Sequence, residues 1–187
     1  SNPGPKLFED GKQSEIKALG YFRNRLWMAG EDKVFSSKLN DITNFFLDDA
    51  ASITDEDPID VTGTDNKYTE VINLTPFENN LFVNTGSDVQ FTISGSDNLI
   101  SPFTAEVSPS SFYSTAPLIK PILLGSQIYF FDSKRLYVYF NDKTVSMNNA
   151  VEVSYHCPDF LPEKYSTSTV VPSFDTILFN DRQYKKE

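Results

Sequence analysis

The sequence predicts an all-β fold, a propeller-like array of antiparallel β-hairpin blades with little helix. Three observations predict it. Short apolar runs of period two dominate the chain. They come in pairs around polar turns rich in Gly, Asp, Asn and Ser. The pairs also recur: aligning Leu26, Leu81, Ile128 and Ile177 gives spacings of 55, 47 and 49 residues. A period of about fifty residues with two to four strands per copy marks propeller blades. Any all-β domain, however, yields hairpins at roughly regular spacing.

Taken in order, the first hairpin runs over Tyr21–Met28, turns at Ala29-Gly30-Glu31-Asp32 and returns over Lys33–Ser36. The second runs over Phe77–Asn84, turns at Thr85-Gly86-Ser87-Asp88 and returns over Val89–Ser94. The third uses Ile122–Phe131, a turn at Asp132-Ser133-Lys134-Arg135, and Leu136–Phe140. The fourth uses Phe174–Phe179, turns at Asn180-Asp181 and reaches Tyr184. The whole chain, 1–187, then reads as a single propeller-like domain. Its blade-like repeats lie near 21–70, 71–120 and 121–170, with a truncated one at 171–187.

Three full copies and a partial fourth do not comfortably close a ring that usually needs about four to eight blades, and an open array leaves unpaired edges. The chain therefore reads as an excerpt of a longer protein, or as one whose edges another chain covers. Ser1–Pro5 and Lys185-Lys186-Glu187 read as its cut ends. Two short helices are expected. One spans Ser37–Phe46, with Leu39, Ile42 and Phe46 on a shared face, and the other spans Ser14–Leu19, closed by Gly20. Total helix should stay below about 15%. Eleven prolines punctuate the loops.

At 187 residues, 39% hydrophobic and 14% aromatic, the chain can bury a core and lacks the composition of a disordered one. One cysteine excludes an internal disulfide framework. No apolar run approaches the ~18 residues of a membrane span, and no basic-then-apolar start reads as a signal peptide. The net charge of -10 is uneven. Residues 41–70 hold nine acids against the single base Lys67. Such a stretch reads as solvated surface. The overall sign opposes gripping nucleic acid, which needs clustered Lys and Arg. It also suits a channel through which DNA must slide.

Each candidate for chemistry has a plainer structural reading. Asp55, Glu56, Asp57 and Asp60 suit a hard cation, and in an extended segment Asp55 and Asp57 point the same way. The spacing is not an EF-hand, and Pro58 favours a turn with solvated acids. On a strand, Arg23 and Arg25 share one face while Asn24 and Leu26 share the other, which suits pairing with the acids of 55–60, within the chain or across a contact between chains. His156 and Cys157 are the only His and Cys, so no metal site of that type can be assembled, and strand neighbours point apart. Ser94-Gly95-Ser96-Asp97-Asn98 lacks the later Gly and Trp of a sialidase Asp-box. No P-loop, G-x-S-x-G elbow, WD or kelch signature is present. Asn73-Leu74-Thr75 formally matches a glycosylation acceptor, with nothing to imply secretion. No catalytic, cofactor or metal residue is assigned, and no cofactor is expected.

One ordered pattern prompts a family. Phe22-Arg23-Asn24-Arg25-Leu26 is followed by Ser36 and Ser37, by Asn44-Phe45-Phe46, and by Asp55-Glu56-Asp57-Pro58-Ile59-Asp60. This resembles the tail tubular protein B, or tail nozzle, family of short-tailed phages, with the pattern F-x-R-N-R-L, serine, N-F, D-x-D-P-I-D. Weaker similarity continues through Pro76-Phe77, Leu81, Ser87-Asp88, Gln90-Phe91 and Tyr129-Phe130. The resemblance implies a non-enzymatic virion component with a propeller-like region, several times longer than this chain. It implies sister copies in a ring and other tail proteins as partners, around a conduit for DNA ejection. No specific nucleic-acid binding is expected, and the isolated chain should be monomeric or weakly associated. The alternative is a glycan- or receptor-binding propeller at the tail tip, with aromatics such as Phe112-Tyr113 stacking on sugars. A tail-associated glycan hydrolase using paired carboxylates is a third reading.

Overall fold

A computed structural model describes residues 16–30, 33–62, 70–96, 99–117, 119–132, 135–144, 147–157, 161 and 165–181. Among the described residues fourteen strands form four antiparallel sheets. The first holds β1 (Ala18–Phe22), β2 (Arg25–Ala29), β3 (Lys33–Ser36) and β4 (Asp60–Thr62) in sequence order. The second holds β5 (Val71–Phe77), β6 (Asn80–Thr85), β7 (Gln90–Ser94) and β8 (Glu106–Ser111), and the third β9 (Ile122–Leu124), β10 (Gln127–Asp132), β11 (Arg135–Asp142) and β12 (Met147–Glu152). The fourth is the pair β13 (Tyr165–Val171) and β14 (Thr176–Asp181). Each of the first three sheets is an up-and-down meander, and the fourth is a single hairpin. Among the described residues the helical segments are single 3-10 turns, at Ser154–His156 and Pro172–Phe174.

Alternation within the strands explains the stacking. In β6, Leu81 and Val83 join Phe22, Trp27 and Val34 of the first sheet in one cluster. Phe82, on the opposite side of the same strand, joins Ile128, Phe130, Tyr137 and Tyr139 of the third sheet in another. A third cluster ties Phe131 and Leu136 to Phe179 of the fourth sheet. The second sheet is thus buried on both faces, so β6 is buried at every position but its first, polar Asn84 and Thr85 included, rather than alternating. Close approach sets Gly20: a Cβ there would sit 3.1 Å from the Leu74 Cβ across the first interface. Gly95 is more constrained. Its Cβ would fall 2.0 Å from the Leu99 carbonyl oxygen. Gly95→Ala is therefore expected to cost about 1–3 kcal/mol through forced backbone movement, read as a melting temperature several degrees lower. An unchanged melt would show that this loop relaxes freely.

The paired second halves of the first three hairpins are as expected: β2 with β3, β6 with β7, and β10 with β11. Their first strands are not. Residues 21–28 are broken by a turn at Arg23-Asn24, 77–84 by one at Glu78-Asn79, and 122–131 by one at Gly125-Ser126. Each break creates the sheet's first strand. Arg23 and Asn24 take φ of 52° and 57°, the left-handed geometry of a tight hairpin. The fourth hairpin pairs backwards. β14 continues through Asn180-Asp181 and bonds β13, reached through the 3-10 turn and Asp175 at φ 47°. Residues 182–184 lie outside the described residues.

Both expected helices fail where they are described. Ala18 and Leu19 lie in β1 and pair with Ala29 and Met28, while Ser14 and Glu15 lie outside the described residues. Over 37–46 side chains take over backbone donors: Asp41 Oδ1 accepts from the Thr43 N–H at 3.2 Å, and Asn44 Oδ1 from the Phe46 N–H at 3.0 Å. Such local bonds favour turns over helix.

Candidate functional site

The two halves of the ordered motif meet in the structure. Phe22 and Ile59 are core residues. Arg25 opens β2 and is fully buried. Its Nη1 donates to the carbonyls of Ser37 at 2.9 Å, Asp57 at 2.7 Å and Glu56 at 3.3 Å, and its Nη2 to the Asp55 carbonyl at 2.6 Å. Arg25 thus grips the 55–57 segment by its backbone, and these bonds bypass the carboxylates on which the sequence reading relied. Burial pushes the guanidinium pKa down, and the charges of Asp57, Asp55 and Glu56 push it back up. The arrangement cinches the base of the long connection between β3 and β4. Ser36 assists: its Oγ accepts from the Ile59 N–H at 3.2 Å, and its N–H donates to the Ile59 carbonyl at 2.8 Å.

The acids do not act alike. Asp55, Glu56 and Asp60 are exposed, but Asp57 is buried. Its Oδ2 accepts from the Thr54 N–H at 2.7 Å and from the Thr54 hydroxyl at 3.0 Å, shaping a tight turn before the half-buried Pro58. The expectation that the acids flanking Pro58 are all solvated therefore fails at Asp57, and Asp55 and Asp57 do not share surroundings. Arg23 and Arg25 also part company, because Arg23 lies in the turn rather than the strand. Its Nη2 donates to Asn79 Oδ1 at 2.8 Å, joining the first hairpin turn to the second. Its guanidinium also lies 5.5 Å from the Phe22 ring centroid. Asn24 donates through Nδ2 to Asn40 Oδ1 at 2.9 Å, again holding the β3–β4 connection. Leu26 is half-buried on the face away from the second sheet.

Sequence reasoning missed a second anchor. Gln90 opens β7 fully buried. Its Oε1 accepts from the Thr85 N–H at 2.9 Å, and its Nε2 donates to the Thr85 carbonyl at 3.2 Å and to the Tyr113 carbonyl. With Asn84 and Thr115 also buried, it pins the segment leading to the third sheet. A lone Gln heading an apolar run, Gln90-Phe91-Thr92-Ile93, was the available signal. The pair Phe112-Tyr113 splits: Phe112 is 75% exposed, while Tyr113 stacks on Tyr137 with centroids 4.2 Å apart. His156 lies in a 3-10 turn and exposed Cys157 follows it, rather than both lying on a strand.

A family profile described as "Bacteriophage nozzle protein" matches residues 1–186. A curated relative, the tail tubular protein gp12 of Escherichia phage T7, is 26% identical over 168 residues. That alignment covers 87% of this chain and 20% of the relative, so the chain spans about a fifth of that protein's length.

Proposed function

We propose a function from one premise: the chain belongs to the bacteriophage nozzle protein family, whose members are structural components of the phage tail. In this reading the segment is a rigid, non-enzymatic part of the wall through which DNA leaves the virion. It sits in a ring of sister copies joined to other tail proteins. The match across residues 1–186 carries the reading. The net charge of -10 supports it, because a wall that repels phosphate does not hold its cargo.

The four sheets are read as consecutive blades of a propeller completed by other parts of a longer polypeptide. Support comes from equivalent positions. Leu26, Leu81, Ile128 and Ile177 are each the second residue of the second strand in their sheet. Leu81 and Ile128 are fully buried against the preceding sheet. On the corresponding face of the first sheet Leu26 and Met28 are half-buried, and Leu19 and Tyr21 are each 59% exposed. A face of that composition suits packing against a further sheet.

Leu19→Lys with Tyr21→Lys tests this. In the 187-residue chain the melt should be unchanged, since both side chains are exposed. In the full-length protein the same pair should abolish complementation of phage lacking the gene. Normal DNA ejection would overturn the reading. The isolated chain should be monomeric or weakly associated at micromolar concentration, because exposed ion pairs contribute only about 0–1 kcal/mol each. It should also fail to retard duplex DNA in a low-salt gel shift. Tight DNA binding at moderate salt would contradict a passive wall.

A further inference from the structure

A cleft of about 650 Å³ opens between the second and third sheets, at the edge strands β8 and β12. That volume lies within the usual ~300–1,000 Å³ of ligand sites. Among the described residues its lining carries no Asp, Glu, Lys, Arg or His side chain. Half-buried Ser108 lies on the β8 wall and exposed Asn149 on the β12 wall, with Phe112 and Met147 also in the lining. Phe112 is 75% exposed and Met147 65% exposed. Ser111 is 4% exposed and its Oγ is sealed beneath the cleft surface, so it is not among the groups a ligand would touch.

The lining chooses among ligand classes. A phosphate or nucleic acid lacks a cation to meet it, and a metal ion lacks carboxylate, imidazole and thiolate ligands. A purely apolar ligand would cover the Ser108 hydroxyl and the Asn149 amide without giving them partners, which is costly. A sugar ring fits both halves of the lining. Its hydroxyls exchange hydrogen bonds with hydroxyls and amides that serve as both donors and acceptors. Its C–H face lies on an exposed aromatic ring. We propose that this cleft binds a neutral saccharide chain, with Phe112 as the stacking platform and Ser108 and Asn149 as the polar contacts. The site stands apart from the Arg25 anchor and does not depend on the nozzle role, so its failure would leave that role untouched.

Saturation-transfer NMR on the 187-residue chain tests it, with maltoheptaose, a dextran oligomer and a neutral galactan at millimolar concentration. Transfer to ring protons of at least one is expected. Phe112→Ala should weaken binding about three- to tenfold with an unchanged melt, since the side chain is largely outside the core. Asn149→Asp, which places a charge in the neutral cleft, should weaken it as well. No transfer to any of the three sugars would overturn the proposal. So would transfer undiminished in Phe112→Ala, or binding of an acidic polysaccharide as strong as that of the neutral ones.

Discussion

Replacing Arg25 with alanine is expected to destabilise the chain by about 3–5 kcal/mol, the usual cost of breaking a buried, hydrogen-bonded charge. In a chain of this size that corresponds to a melting temperature lower by roughly 6–20 °C. The loss has two sources. Four carbonyls, of Ser37, Asp55, Glu56 and Asp57, lose a shared donor, and carbonyls that stay buried unpaired are each costly. Asp57 also keeps its buried carboxylate without the cation beside it. Arg25→Lys should recover little, because one ammonium cannot reproduce a planar fork that reaches Asp57 and Asp55 from two nitrogens. Circular dichroism gives the melt, and limited proteolysis reads the connection between β3 and β4, which should become cleavable over 38–56 at native temperature. A variant that melts within about 1 kcal/mol of the parent, with that connection still resistant, would show that the anchor is dispensable.

Strand content and the hairpin halves were legible because they rest on side-chain alternation and on turns rich in Gly, Asp and Ser. The positions of the first strands were not. Their turns, at Arg23-Asn24 and Glu78-Asn79, sit inside apolar runs and carry non-glycine residues at positive φ, at Arg23, Asn24 and Glu78. Local preference disfavours that geometry, and it is adopted here because strands on both sides bury their faces. The short helix at 37–46 had the right apolar spacing, but Asp41 and Asn44 bonded the backbone locally. At the candidate site, the order of residues 22–26 and 55–60 was readable from the motif alone. What joins them was not, because backbone carbonyls leave no mark in a sequence. The aligned quartet of Leu26, Leu81, Ile128 and Ile177 carried the most information, since it located equivalent positions in all four sheets before any strand boundary was correct.

The residue after each of those four gives the second large effect. Trp27, Phe82, Tyr129 and Leu178 are each third in their strand. Trp27 and Phe82 are fully buried toward the next sheet, whereas Leu178 is 52% exposed. Trp27→Ala should therefore cost about 3–5 kcal/mol, from lost burial and the cavity left behind. Trp27→Phe keeps a ring of the kind the second sheet uses at this position. It loses the bond from Nε1 to the Phe22 carbonyl at 3.1 Å, and should cost about 1–2 kcal/mol. Leu178→Ala, at the same place in a sheet with an open outer face, should stay within about 0.5 kcal/mol, as surface changes usually do. Thermal melts of the three variants compare one position with and without a neighbouring sheet. Near-equal losses for Trp27→Ala and Leu178→Ala would mean that something other than sheet-on-sheet burial sets the cost, and the equivalence of the sheets would fail with it. A steep difference would place most of the stability in the interfaces between sheets. An outer face that contributes little in the isolated chain would then gain its share only when another sheet covers it.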